Sequence, residues 1–293
     1  MNLKDLKIQI MGSGAIGSLF GGLIQLSGFD VHFVARRKRL EVLKKGLRIR
    51  GLIEADLDVD VSEKPENADI TIVAVKAYDT ENAAELLSKV DCGVVLTIQN
   101  GLGNVERLSR KLKRVIGGVT TYGANIKDDI VFYAGEGVTF VGNDGYISED
   151  ALLVERVLKE SGFNCYAVDN ISERIWRKAI VNAVINPITA ILKVENGRVL
   201  DEGLWSIAKL VIEEGKQVME RLGINVDGLE EAVREVAVKT ARNRSSMLQD
   251  IMAGRRTEID YINGEIVRLS DEMGISACAN LLLTNLVKAM EEK

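Results

Sequence analysis

One histidine, two prolines and three cysteines occur in 293 residues, and each scarcity removes a class of chemistry. The histidine, His32, lies in the strand-like run VHFVA and reads as a strand residue without a chemical role, so a histidine-based acid–base pair is excluded. Cys92, Cys165 and Cys278 are odd in number and unclustered, which fits neither a disulfide framework nor a zinc site; no metal is expected. No apolar run approaches the ~20 residues of a membrane span. The N-terminal stretch MNLKDLKIQIMGSG enters a strand at once and lacks the apolar core of a secretory leader. With 38 basic against 43 acidic residues the net charge is −5, which argues against general nucleic-acid binding. These absences predict a soluble, cytoplasmic chain with neither a membrane nor nucleic acid as partner.

A hydrophobic content of 46% and a charged content of 28% supply both a core and a solvated surface, at a length suggesting roughly two domains. From residue 7 to about 168, short β-branched runs alternate with helical stretches. KIQIMG, DVHFVA, DITIVAV, GVVLTIQ and VIGGVTT read as strands; helices are predicted over 17–27, 37–45 and 80–89, with a hairpin around 47–61. VFYAG and GVTFVG look like an antiparallel pair. Such alternation predicts a parallel sheet covered by helices. Beyond NCYAVDN the periodicity is almost entirely helical. The expectation is an α/β fold: a Rossmann-type parallel-sheet domain over 1–168, then an all-α domain over 169–293, whose long helices would offer a homodimer face.

Gly12-Ser13-Gly14-Ala15-Ile16-Gly17 is a G-x-G-x-x-G run placed between the first strand and a helix. The run alone is a weak signal; the strand–turn–helix context is what dinucleotide binding requires, with the helix N-terminus facing a pyrophosphate. The second strand ends at Arg36-Arg37-Lys38-Arg39, where an NAD site normally has an acid for the ribose 2′-hydroxyl. Arg36 suits a 2′-phosphate and hence NADP(H); Lys38 and Arg39 are as easily a solvated basic helix start. Lys76, Asn100 and the Thr121–Ala124 stretch fall at predicted carboxyl ends of strands, where such ligands bind. Lys76 also has a plainer reading as a surface lysine, and Asn100 with Gly101 as a turn.

In the second half, Lys178, Asn182 and Asn186 recur one turn apart within IWRKAIVNAVINPITAIL, on one face of an otherwise apolar helix. Burying an ammonium and two carboxamides costs several kcal/mol unless a ligand or polar partner completes them. Carbonyl reduction needs a hydride donor, a proton source and groups that hold the substrate. Without a histidine, Lys178 is the candidate acid. Pro187 lacks a backbone N–H and should kink this helix, turning Asn186 toward a cleft. A second polar cluster spans Asn243–Asp250 and Arg255–Tyr261. On the residues alone it is equally a set of caps, with Ser245 or Ser246 as N-cap, Thr257 with Asp260 as a capping box, and Glu258 as a first-turn acid.

The stretches WRKAIVNAVINPITAIL…NG and SSMLQDIMAGRRTEIDYINGEI, with the glycine motif, together resemble the ketopantoate reductase family, and the resemblance runs along essentially the whole chain. It implies NADPH-dependent reduction of 2-dehydropantoate to (R)-pantoate on the route to pantothenate and coenzyme A. Lys178 then matches the proton donor, and Glu258 the acid beside the catalytic and nicotinamide region. Asn182, Asn186, Asn196, Asn243 and Ser246 match substrate positions. Arg36 matches the 2′-phosphate partner, while Lys76, Asn100 and Ala124 match cofactor-side positions. Tyr122-Gly123 stands where small or histidine-containing variants also occur. Two rival readings are a reductase of another 2-keto or β-hydroxy acid with the same build, and a non-catalytic NADP sensor. The sensor has no need of both Lys178 and Glu258.

Overall fold

The computed structural model describes residues 2–292, which divide into two compact units. The first comprises residues 2–99 and 104–172; the second, residues 100–103 and 173–292.

In the first unit the elements run β1 (Lys7–Met11), α1 (Ala15–Leu26), β2 (Asp30–Val34), α2 (Lys38–Leu43), β3 (Leu47–Gly51), β4 (Ala55–Leu57), β5 (Asp60–Ser62), β6 (Ile70–Val73), α3 (Thr80–Leu87) and β7 (Val94–Thr97). They continue with α4 (Asn104–Ser109), β8 (Val115–Thr120), β9 (Gly123–Lys127), β10 (Ile130–Gly135), β11 (Thr139–Gly142), α5 (Glu149–Glu160) and β12 (Cys165–Val168). Eight strands form the main sheet in the order β12-β11-β8-β7-β6-β1-β2-β5. All neighbours pair in parallel except β11 with β8. The order reverses at β1, since the chain goes first to β2 on one side and later to β6 on the other. That reversal makes the carboxyl end of β1 the switch point where ligands of such sheets bind.

The central strands are continuous apolar runs because both faces are covered. Gln9 is the buried exception on β1. It is fully buried, with Nε2 donating to Thr71 Oγ1 at 3.3 Å and Oε1 accepting the Glu66 N–H at 2.7 Å. Helix α1 comes close to the sheet because its interior carries glycines: a Cβ on Gly21 would lie 2.4 Å from the Phe33 ring. Phe20 of α1 stacks on Phe163 with ring centroids 4.3 Å apart, and Tyr122 meets Phe163 edge-on. Tyr122 is thus a core residue, its hydroxyl accepting the Asn164 N–H at 2.8 Å.

Several expectations are corrected. Only β3 and β4 form the hairpin expected over 47–61. β5 leaves it to extend the main sheet, pairing in parallel with β2. His32 explains the choice: its Nδ1 lies 2.7 Å from Asp60 Oδ2 and its Nε2 3.1 Å from Ser62 Oγ, so a buried imidazole is satisfied only when β5 sits there. VFYAG and GVTFVG do not pair. The first belongs to β10 of a separate four-stranded sheet, β4-β3-β10-β9, and the second to β11 of the main sheet. The true hairpin is β9–β10, closed by Asp128 and Asp129 at φ 51° and 64°, values that a tight two-residue connection demands. Helix α4, only six residues long, is too short for periodicity to announce.

In the second unit the helices are α6 (Ile171–Leu192), α7 (Glu202–Arg221), α8 (Leu229–Lys239), α9 (Ser246–Met252), α10 (Asn263–Met273) and α11 (Cys278–Glu291), with short 3-10 turns at Asn196–Leu200 and Ile259–Tyr261. All six pack around one core that includes Trp176, Ile180, Val184, Trp205, Val211, Ile266 and Val287. Helix α6 is central to it, buried over nearly every position from Ala183 to Ala190. It continues through Pro187 instead of breaking there.

Candidate active site

The glycine turn follows β1, and its three glycines serve three different needs. Gly12 has φ +108° and packs so tightly that a Cβ would lie 2.6 Å from the Val75 nitrogen. A Cβ on Gly17 would lie 2.0 Å from the Gly12 carbonyl oxygen, so helix α1 can start against the turn only with hydrogen there. Gly14 differs: a Cβ would meet nothing within 4 Å. Its bare backbone heads the twelve-residue α1 without a side-chain cap, leaving the first-turn N–H groups and the positive end of the helix dipole to an anion. Ser13, Ala15 and Ile16 complete the turn. This cradle fits the pyrophosphate of a dinucleotide.

At the end of β2, Arg36 is exposed, with one guanidinium nitrogen 3.3 Å from Asp79 Oδ1. Asp79 closes the 3-10 turn Ala77–Asp79, which Lys76 opens directly after β6 and Ala74-Val75. Arg36 and Lys76 therefore follow the two strands that flank β1, and the Arg36–Asp79 contact draws their loops together. Gln99 fixes the Lys76 loop by donating to the Val75 carbonyl at 2.9 Å and to Thr80 Oγ1 at 2.8 Å, a role the sequence pattern does not reveal. No carboxylate follows β2 directly, which suits a 2′-phosphate. Lys38 faces Asp129 at 3.2 Å. Arg39, expected to be a solvated helix residue, instead turns inward, donating from Nε to the Ser13 carbonyl at 2.9 Å and from Nη2 to Ser18 Oγ at 3.0 Å. Burial pulls its pKa down against an opposing pull from Asp129. Ala124 lies within β9, opposite Tyr133 in the four-stranded sheet, rather than at a strand end of the main sheet.

Asn100 begins the short segment that groups with the helical unit. The Leu102 N–H donates to the Tyr261 carbonyl at 2.8 Å, and Gly101, at φ +87°, has room for hydrogen alone, since a Cβ there would lie 2.6 Å from that same oxygen. Asn100 is thereby tied to the stretch that carries Glu258.

Lys178, Asn182 and Asn186 lie on one face of α6, as their spacing requires. Lys178 keeps some accessible surface as a residue, but its ammonium is desolvated, and this lowers its pKa to about 8 against the opposing charge of Glu258. Glu258 is 6% exposed and immediately precedes the 3-10 turn Ile259–Tyr261. The structure thus places the two ionisable candidates in electrostatic reach of each other. Asn186 is 5% exposed. Among the described residues, no hydrogen bond occupies the carboxamides of Asn182 or Asn186, although a carboxamide has up to four to make.

Around 196–246 the arrangement is more structural. The Asn196 N–H donates to the Asn243 carbonyl at 2.9 Å, and Asn196 Nδ2 donates to Thr240 Oγ1 at 3.0 Å, while its Oδ1 is buried without a partner. Asn243 and Ser246 are exposed. Ser245, not Ser246, caps α9, accepting the Leu248 N–H at 3.1 Å and the Thr189 hydroxyl at 2.8 Å. Thr257 and Asp260 do not form a capping box. Thr257 Oγ1 accepts the Ile259 N–H at 3.2 Å, and Asp260 is drawn to Lys288 and Arg256.

A glycine cradle at the switch point of a parallel sheet, with a desolvated lysine and a buried glutamate in a helical unit, defines a two-unit, nucleotide-dependent oxidoreductase. Profiles of two families, described as ketopantoate reductase PanE/ApbA and its C-terminal domain, match residues 8–145 and 170–291. The chain belongs to the ketopantoate reductase family. It is 55% identical over 292 residues to the 2-dehydropantoate 2-reductase of Archaeoglobus fulgidus, covering 99% of each chain, and 38% identical to that of Pyrococcus horikoshii, covering 98% of each. Among solved structures it resembles a PanE/ApbA family ketopantoate reductase from Ralstonia eutropha JMP134, with a TM-score of 0.91, 30% identity and coverage of 98% and 99%. It also resembles D-mandelate dehydrogenase in a ternary structure with NADH and anilino(oxo)acetate, with a TM-score of 0.91, 25% identity and coverage of 98% and 99%.

Proposed function

We propose the following division of labour for the reaction of this chain, the NADPH-dependent reduction of 2-dehydropantoate to (R)-pantoate. When bound, the nucleotide supplies a hydride to the keto carbon. Gly12, Ser13, Gly14, Ala15, Ile16 and Gly17 hold its pyrophosphate and Arg36 its 2′-phosphate, with Lys76, Asn100 and Ala124 on the cofactor side. Lys178 gives its proton to the carbonyl oxygen as that oxygen becomes a hydroxyl, and is left as a neutral amine. The observation that supports this role above all others is the desolvated Lys178 ammonium with Glu258 beside it. A lysine brought near neutral pH is a better general acid than an ordinary one, and its charge also stabilises the oxygen as negative charge develops. Glu258 keeps the amine protonated at the working pH. Asn182 and Asn186 bind the substrate carboxylate and hydroxyl. Asn243 and Ser246 join them in holding the substrate, the Asn243 backbone being tied to Asn196.

The substrate's own hydroxyl, besides its carboxylate, is what calls for several carboxamides, and this favours ketopantoate over simpler keto acids. Following NADPH oxidation with ketopantoate, pyruvate and 2-ketoisovalerate, and repeating with NADH, tests the reading. Ketopantoate with NADPH is expected to give the highest kcat/KM, and equal values across the three acids would refute the role given to the carboxamides.

A homodimer through the helical unit is part of the proposal, supported by exposed Leu210 of α7 and Leu281, Leu282 and Leu286 of α11. Sedimentation of the wild type against Leu282→Glu measures it. Cytoplasmic residence is supported by three free thiols and by the lack, among the described residues, of any helix long and apolar enough to cross a membrane.

A further inference from the structure

We infer that Arg39 is a positioning residue for the nucleotide: it orients the Ser13–Gly14 peptide so that the Gly14 N–H is presented to the phosphates. The inference rests on the nucleotide reading of the glycine turn given above. In a trans peptide the C=O and N–H point in opposite directions, so whatever fixes the carbonyl also aims the amide. The Ser13 carbonyl is fixed twice, by Arg39 Nε at 2.9 Å and by Ser18 Oγ at 3.0 Å. The same guanidinium holds Ser18 through Nη2 at 3.0 Å, closing a small ring among Arg39, Ser18 and Ser13. The amide nitrogen of that peptide belongs to Gly14, the one glycine of the turn on which a Cβ would meet nothing within 4 Å.

Stability alone is a poor reason for this arginine. Its side chain is half-buried, and Nη1 is buried with no hydrogen-bond partner. An incompletely satisfied charge is destabilising, and an apolar side chain of similar size would serve packing better. The geometry also separates Arg39 from Arg36. Arg36 is exposed at the strand end, whereas Arg39 spends its donors on the turn. Arg36 therefore discriminates the 2′-phosphate, and Arg39 acts on the part common to both dinucleotides.

The test is equilibrium binding of NADPH and of NADH by titration calorimetry to the wild type, Arg39→Met, Arg39→Lys and Arg36→Met. Arg39→Met is expected to weaken both nucleotides by the same factor, about tenfold, the equivalent of one hydrogen bond to a charged group. Arg39→Lys, which keeps one donor, should recover part of that loss. Arg36→Met should weaken NADPH alone. If Arg39→Met weakens only NADPH, Arg39 is itself a 2′-phosphate ligand and the inference is overturned. Unchanged dissociation constants for both nucleotides overturn it too, by reducing the arginine to a structural anchor. Should Arg39→Met not fold, Ser18→Ala decides: equal weakening of both nucleotides supports the inference, and no weakening overturns it. A wild type that binds neither nucleotide would instead bring down the nucleotide reading, which is a different failure.

Discussion

The carboxamide of Asn263 donates its Nδ2–H to the Ala183 carbonyl, 2.9 Å away, and Ala183 stands four residues before Pro187. In an uninterrupted α-helix that carbonyl would accept the N–H of residue 187, which proline does not have. Asn263 supplies the missing donor from the start of α10 and also donates to Asn280 Oδ1 at 3.0 Å. Asn280 in turn donates to Glu214 Oε2, whose carboxylate accepts the N–H groups of Ala279 and Asn280 at the head of α11. The helix bearing Lys178 is thereby kept intact next to its proline by a buried polar chain.

Asn263→Ala leaves the Ala183 and Asn280 oxygens buried without this donor and is expected to lower stability on the order of 3 kcal/mol. In a Pro187→Ala background the helix regains its own N–H for Ala183. The Asn263 substitution should then cost about 1 kcal/mol less, a coupling that urea denaturation of the four-protein cycle reads directly. Strict additivity would show that Asn263 does not stand in for the helical donor.

Lys178→Met removes the proposed acid while keeping an unbranched chain in place. A loss of kcat on the order of 100-fold or more is expected, with ketopantoate affinity less affected. Asn186→Ala should instead raise KM. Wild-type turnover in folded Lys178→Met would end the assignment.

The pH dependence follows from the direction of the Lys178 shift. In the proposed reaction, reduction needs the ammonium, so kcat/KM for ketopantoate should fall as pH rises through about 8, and pantoate oxidation should rise over the same range. Glu258 opposes the lowering, so Glu258→Gln should move both profiles toward lower pH. The stability sign is also set. Between about 8 and the ordinary lysine range, the unfolded chain holds the proton that the folded chain has released, so this group makes stability increase with pH there. Profiles unmoved by Glu258→Gln would show that Glu258 does not act on the amine.

Gly14→Ala and Gly17→Ala separate ligand space from packing space. The Gly14 Cβ is free of contacts, so the variant should fold with unchanged melting temperature yet bind NADPH at least about tenfold more weakly. The Gly17 Cβ would sit 2.0 Å from a backbone oxygen, so that variant should be strongly destabilised before any ligand is added. Calorimetry with and without NADPH distinguishes them. Equal melting losses in both variants would contradict this division.

Signals of one dimension were legible. The glycine spacing, the β-α alternation and the i, i+4, i+8 stripe of Lys178, Asn182 and Asn186 depend only on local periodicity, and each element formed near where its pattern placed it. Local patterns misled where partners are distant. β5 resembled the rest of a hairpin because nothing nearby shows that His32 needs Asp60 and Ser62. VFYAG and GVTFVG are adjacent in the chain but lie in different sheets, since strand pairing is a choice among edges. Arg39 looked like one more surface cation, because inward and outward directions at the first turn of a helix differ by a single rotamer.

The linear order of residues by itself determined the two-part architecture, the position of the glycine turn and the face on which an amine and two carboxamides must lie, because helix and strand geometry follow from a few consecutive torsions. Only the tertiary structure decided that Glu258 comes within electrostatic reach of Lys178 across 80 residues, that Asn263 replaces a proline's missing donor, and that Ser13 is held by an arginine from the next helix. Burial, which sets both the pKa of an amine and the need for a hydrogen-bond partner, exists only once distant segments have packed.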